Sequence, residues 1–205
     1  MIYCREVLSK EVFFSRHNPK GGTFMTLSSN NPKMEAIRQS VGSSYHDLNQ
    51  LIDGPLATID PSLLYQSPGQ NEWTLMENIA HIIEFLPYWG DEIAKLLANP
   101  GQTFGRTPQH EGRLRALEDY GHATLEQARA TLPASYAHLN AVLSRMQDSD
   151  LEVVGHHPRF GERSLDWFIK VCVTDHLASH VEQMKACLAA LQREGMQDGK
   201  RQPEG

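Results

Sequence analysis

Residues 174–184 read TDHLASHVEQM, and the two histidines in this stretch, His176 and His180, stand four positions apart. On a helix that spacing stacks two imidazoles on one face, about one turn from each other. Leu165, Ile169, Cys172, His176, Gln183 and Cys187 fall in the same narrow arc when each residue advances about 100°, and Val173 and Met184 widen it. The pattern predicts a long amphipathic helix from Ser164 to about Arg193, with His176 near the middle of its apolar side and His180 about 40° further round. A buried imidazole without a partner costs a few kcal/mol, so two of them one turn apart need shared partners. The spacing leaves two readings open: both rings aim a nitrogen at one first-row divalent metal, or they form a hydrogen-bonded pair in the core or at a wet interface.

Outward from this helix the same period recurs. Ile37, Val41, Leu48 and Ile52 predict a helix over Lys33–Ile52, which Gly54 and Pro55 stop. Thr74 with Glu77 three positions on is a capping-box signature that starts a second helix, closed by Asn99, Pro100 and Gly101. Pro87 lies inside it and predicts a kink. Thr124 with Gln127 starts a third helix running to about Gln147, in which Pro133 either bends the helix or begins a new segment. The stretches 101–122 and 148–163 read as long connections. Four helices without convincing alternating strands predict an all-α four-helix bundle, and connections of roughly 20 residues imply a crossover or loops that build a site. The expected organisation is an N-terminal extension over 1–32, the bundle over 33–193 and a polar tail over 194–205. The extension reads as a disordered arm, a short strand, or a translation-start artefact upstream of Met25 or Met34.

Of the 205 residues, 40% are hydrophobic, which is enough for one domain with a sizeable core. The net charge of -6 gives no basic field for phosphate backbones or anionic lipid, so neither nucleic acid nor a membrane surface is an expected partner. Cys4, Cys172 and Cys187 are an odd number of thiols, with two inside a helical pattern; they read as reduced cysteines of a soluble, cytoplasmic protein.

A third imidazole for a metal must come from another helix. His81, within ENIAHIIEFLPYW, is the candidate, although periodicity places it on the flank of its helix beside Phe85, where a kink at Pro87 could turn it inward. Cys172 continues the i, i+4 series, but it lies about 12 Å along the axis from His180, too far to share an ion, and reads as a core cysteine. Glu84 and Asp175 are candidates for orienting an imidazole or for acid–base work, against the alternative of solvated helix-face carboxylates. His17, His46, His110, His122 and His138 read as surface residues. His156 and His157 either line the mouth of a site or serve a structural loop. Arg106, Arg113, Arg159 and Arg163, all in the long connections, either hold an anionic substrate or are solvated.

The stretches NEWTLMENIAHI (71–82) and HPRFGERSLDWFIKVCVTDHLASHVEQM (157–184) resemble the DinB-like (DinB/YfiT-like) superfamily of bacterial four-helix bundles, which includes thiol-dependent transferases and isomerases acting with mycothiol or bacillithiol. The motifs are a Trp-Thr start followed by His on the second helix, G-x-x-[ST]-L opening the fourth, and H-x3-H-x2-Q near its middle; the resemblance covers about residues 34–192. It implies that His81, His176 and His180 hold a divalent metal, nickel or zinc. It further implies a metal-dependent enzyme acting on a small molecule, either a transferase or isomerase using a low-molecular-weight thiol or a metal-assisted hydrolase. A homodimer is expected. The competing expectation is a non-catalytic, metal-stabilised dimeric binding or stress-response protein.

Overall fold

The computed structural model describes residues 30–199; the expectations for the extension before Asn30, with Cys4 and His17, and for residues 200–205 lie outside the described residues. Helix α1 (Pro32–Asp53) is followed by 3-10 turns at Pro55–Ala57 and Pro61–Tyr65, then α2 (Leu75–Ala98), α3 (Glu111–Tyr120), α4 (Leu125–Leu143) and a 3-10 turn at Asp148–Glu152. A two-stranded antiparallel hairpin follows, β1 (Val154–His157) with β2 (Gly161–Ser164). The last rod consists of α5 (Leu165–Ile169), a π turn (Lys170–Thr174) and α6 (Asp175–Gly199).

The molecule is an all-α four-helix bundle. Each of α1 and α2 packs against both α4 and α6, so α1 and α2 stand across the diagonal of the bundle. Consecutive helices that are not neighbours need a long connection, which residues 54–74 supply. The core is Met34, Val41, Leu48 and Ile52 of α1 against Ile79, Phe85, Leu86 and Ile93 of α2, Leu132 and Leu139 of α4, and Leu177, Val181 and Met184 of α6.

Both capping boxes form. Glu77 N–H donates to Thr74 Oγ1 (3.0 Å) while Thr74 N–H donates to the Glu77 carboxylate (2.8 Å), and Thr124 with Gln127 repeats the pattern. Ser164 Oγ accepts from Trp167 N–H at the start of α5. The start of α1 is capped from a distance: the Asp148 carboxylate accepts from Lys33 and Met34 N–H, and Asn31 Oδ1 accepts from Asp148 N–H. Helix α2 continues through Pro87 and α4 through Pro133, so Pro133 does not begin a new segment.

Three features depart from the sequence expectations. The connection after α2 contains α3, whose signal is weak because Ala116 is its one buried hydrophobic among the described residues and His110, an unusual cap, accepts from Gly112 N–H. The stretch before the last rod contains the hairpin, hidden because the inward positions of β1 are Gly155 and His157 and carry no apolar alternation. The π turn inserts one residue into the last rod and shifts the phase of everything after it by about a hundred degrees. In consequence Leu177, Val181, Met184 and Leu191 face the core, Gln183 is exposed, and His176 moves from the middle of the apolar arc to its edge, where it is partly exposed.

The hairpin anchors the connection after α2. Phe104 N–H donates to His156 C=O (2.9 Å), His156 N–H to Gln102 C=O (3.1 Å) and Gly101 N–H to Val154 C=O (2.8 Å), so residues 101–104 lie along β1. Phe104 is buried between Trp89 and Phe168, with ring centroids 5.3 and 4.5 Å away.

Candidate metal centre

His81 on α2 and His176 and His180 on α6 bring their Nε2 atoms together. His176 Nε2 is 3.1 Å from His81 Nε2 and 2.9 Å from His180 Nε2. Among the described residues this is the group of His, Cys, Asp or Glu side chains close enough for one ion. His81 and His180 are buried and His176 is partly exposed, so the group opens on the His176 side. Phe85 packs against His81 and His176, with centroids 5.3 and 4.9 Å away. Trp73 lies nearly parallel to His180 (12°, 5.6 Å) and edge-on to His81.

The tautomer of His180 follows from its neighbour. Asn78 Nδ2 donates to Thr74 C=O (2.9 Å), which leaves Oδ1 to face His180 Nδ1 at 2.9 Å. An oxygen there requires the proton on Nδ1, so His180 Nε2 presents a lone pair to the other two rings. His176 Nε2 then carries either one proton, shared between two nitrogens, or a lone pair facing that of His180; neither state satisfies all three nitrogens. His81 Nδ1 is buried without a hydrogen-bond partner, with Glu84 Oε2 3.7 Å away. A divalent cation would resolve the mismatch. Two nitrogens about 2.0–2.1 Å from one ion stand about 2.9 Å apart at a right angle and about 3.4 Å apart at the tetrahedral angle, and the observed 2.9 and 3.1 Å lie in that range.

All three imidazoles are held neutral, the form that ligates metal. Burial acts first on His81 and His180 and holds both well below the ordinary value, with His180, His176, Arg113 and Arg106 adding to the effect on His81, and His176 and Arg113 to that on His180. His176 is pushed down to about 4 by burial, then by Arg113 and Arg106.

The remaining candidates separate cleanly. Glu84 accepts from Arg106 beside His81. Asp175 is paired with Lys170 across the π turn at 2.7 Å. Arg106 lies over the Tyr88 ring (3.7 Å) and Arg113 over Trp73 (5.2 Å), whereas Arg159 lies over Phe160 and Arg163 over Trp167, on the hairpin side. His157 is buried, where its Nδ1 accepts from Arg159 N–H and its ring lies 6.0 Å from Phe168, while His156 is exposed on β1. His46, His110, His122 and His138 are exposed, the last paired with Asp91. Cys172 and Cys187 are buried, and burial pushes Cys187 up to about 11. Sequence reasoning missed Asn78 and the wall formed by Trp73. The available signal was a lone amide three residues before His81 in an otherwise apolar stretch.

The DinB superfamily pattern matches residues 44–184. The chain belongs to the DinB superfamily. No curated protein matches it. Among solved structures, this DinB-superfamily chain is similar to TT2238, described as a four-helix bundle protein (18% identity, 75% of this chain and 98% of that one, TM-score 0.53). It is also similar to YfiT from Bacillus subtilis, described as a probable metal-dependent hydrolase with an unusual four-helix bundle topology (14% identity, 89% and 94%, TM-score 0.57). A third is the colibactin self-resistance protein ClbS, solved in complex with a dsDNA (15% identity, 78% and 96%, TM-score 0.52). At these identities the likeness concerns the fold. No helix among the described residues is long and apolar enough to cross a membrane.

Proposed function

We propose that the protein is a cytoplasmic metal-dependent enzyme in which His81, His176 and His180 hold one divalent ion, nickel or zinc, and a small-molecule substrate reacts on the open side of His176. The observation that carries this reading is the convergence of three Nε2 atoms, one of them locked as a lone pair by Asn78. A divalent ion held by His81, His176 and His180 would supply Lewis acidity to a thiol or a water. The reaction class we favour is transfer or isomerisation with a low-molecular-weight thiol, with metal-assisted hydrolysis as its neighbour.

The chain's own residues set up the site. Asn78 fixes the His180 tautomer, and Glu84 Oε2, 3.7 Å from His81 Nδ1, is the carboxylate a small shift would bring into hydrogen-bond reach of it. Trp73 and Phe85 exclude water from the buried side. Asp175 keeps a subsidiary role, at the start of the helix that carries His176, through its pairing with Lys170. A homodimer is part of the proposal. A duplex partner of the kind seen with ClbS finds no support in a chain of net charge -6.

The test is elemental analysis of untagged protein purified anaerobically, beside the His176→Ala variant, followed by thiol-transfer and hydrolysis assays on the metal-loaded form. One ion per chain in the parent and loss of that ion in the variant are expected. Metal-loaded protein that turns over no thiol donor or acceptor and no hydrolysable ester or amide overturns the enzymatic reading.

A further inference from the structure

His81 and Glu84 stand three residues apart on α2, so their side chains are neighbours on one helix face. With Nε2 of His81 directed at an ion, Nδ1 carries the proton, and that buried nitrogen has no hydrogen-bond partner. The Glu84 carboxylate is the group placed to accept from it, yet its Oε2 stands 3.7 Å away. The same oxygen accepts from Arg106 Nη2 at 2.5 Å. Two donors therefore face one carboxylate oxygen. A guanidinium on a carboxylate unites two full charges and outweighs a bond from a neutral imidazole N–H.

The fold holds Arg106 to this contact. Its guanidinium lies over the Tyr88 ring, 3.7 Å from the centroid, and its side chain is 7% exposed. The backbone just before it is fixed to α2, because Gly105 N–H donates to Glu92 Oε2 (2.7 Å). Gly105 is required at that point: its φ is +78°, and a Cβ would stand 2.6 Å from His157 Cδ2. An imidazole that donates fully to a carboxylate becomes a more basic ligand, which binds an ion more tightly and leaves it less electrophilic. We propose that Arg106 is a positioning residue that draws Glu84 away from His81 and so keeps the ion electrophilic towards a ligand on the open side of His176. This rests on the reading of the imidazoles as a metal centre and specifies what tunes it.

The experiment follows the ring N–H protons of zinc-loaded, full-length protein labelled with 15N-histidine by NMR, beside zinc affinity from chelator competition. In Arg106→Gln the His81 Nδ1–H signal should move downfield as Glu84 turns to it, and zinc affinity should rise about threefold, a fraction of the roughly 10- to 100-fold that such outer partners carry. Arg106→Met keeps the apolar stem over Tyr88 and should give the same signs, which decides the matter if Arg106→Gln does not fold. Arg106→Lys restores the cation and should return both readouts towards the parent's. Arg106→Gln combined with Glu84→Met removes both charges and the acceptor, so the signal should stay in place and the affinity within about twofold of the parent's. A His81 signal unmoved in both neutral variants, or a zinc affinity that falls in them, overturns the role of Arg106. An equal gain in the double variant overturns it too, since Glu84 would then have no part in the effect. Protein that takes up no zinc overturns the metal reading, whereas loaded protein that fails these comparisons overturns the role of Arg106 alone.

Discussion

His180 lies in the imidazole cluster and Arg106 reaches its edge through Glu84, and the two are held in different ways. His180 stands on α6 and takes its orientation from Asn78 on α2, so its placement comes from the packing of two long helices and one buried hydrogen bond. Arg106 stands on a connection, and separate fastenings hold it: the hairpin alongside residues 101–104, Phe104 between Trp89 and Phe168, and the carboxylates of Glu92 and Glu84. A side chain on a packed helix is precise at little cost, whereas one on a connection is as precise as its attachments. The comparison teaches that the imidazoles should survive damage to the connection, and the arginines should not.

The strongest way to break this comparison is Phe104→Ala, which removes a fully buried ring and should cost about 3–5 kcal/mol of stability in denaturant unfolding. If the helices alone set the imidazoles, metal affinity in the folded fraction stays within about threefold; a collapse of affinity would show that the connection shapes the triad. Asn78→Ala attacks the other side and should lower metal affinity about 10- to 100-fold in a chelator competition. Asn78→Asp keeps an acceptor and should retain most of the affinity.

Acidity acts on the imidazole side of the comparison. His176 is depressed from 6.5 to about 4, so the unfolded chain binds its proton first as pH falls. Its contribution to stability is therefore complete above about pH 6.5 and is lost on descent towards pH 4, at about 1.4 kcal/mol per pH unit. His81 and His180, also depressed, act in the same direction. Melting temperatures of chelator-treated protein should fall across that window, and the replacement of all three histidines should flatten the curve. The smallest effect belongs to Glu92→Gln, which weakens the bond from Gly105 N–H by about 1 kcal/mol. Unfolding midpoints should register that loss while metal content stays unchanged.

The bundle was legible where local chemistry decides structure. Both Thr-led capping boxes, the helix period of α1, α2 and α4, and the inward spacing of His176 and His180 depend on neighbours within one or two turns. The hairpin was not legible, because Gly155 and His157 fill its inward positions, and α3 was not, because charges outnumber apolar residues along it. The phase of the last rod was misread for a definite reason: a uniform helical period places Gln183 in the core arc, and the π turn at Lys170–Thr174 rotates it out.

What the sequence determined by itself is therefore the set of helices, their starts and the presence of imidazoles on two of them, since hydropathy period and capping act over a few residues. Only the tertiary structure decided that α1 and α2 stand diagonally, that His81 turns inward from its flank to meet His176, that Asn78 fixes the lone pair of His180, and that Arg106 pairs with Glu84 beside His81. Those relations join residues as far as 102 positions apart, across the Asn78–His180 bond. They are set by which helix faces bury together and by one inserted residue in a helix, neither of which a local pattern encodes.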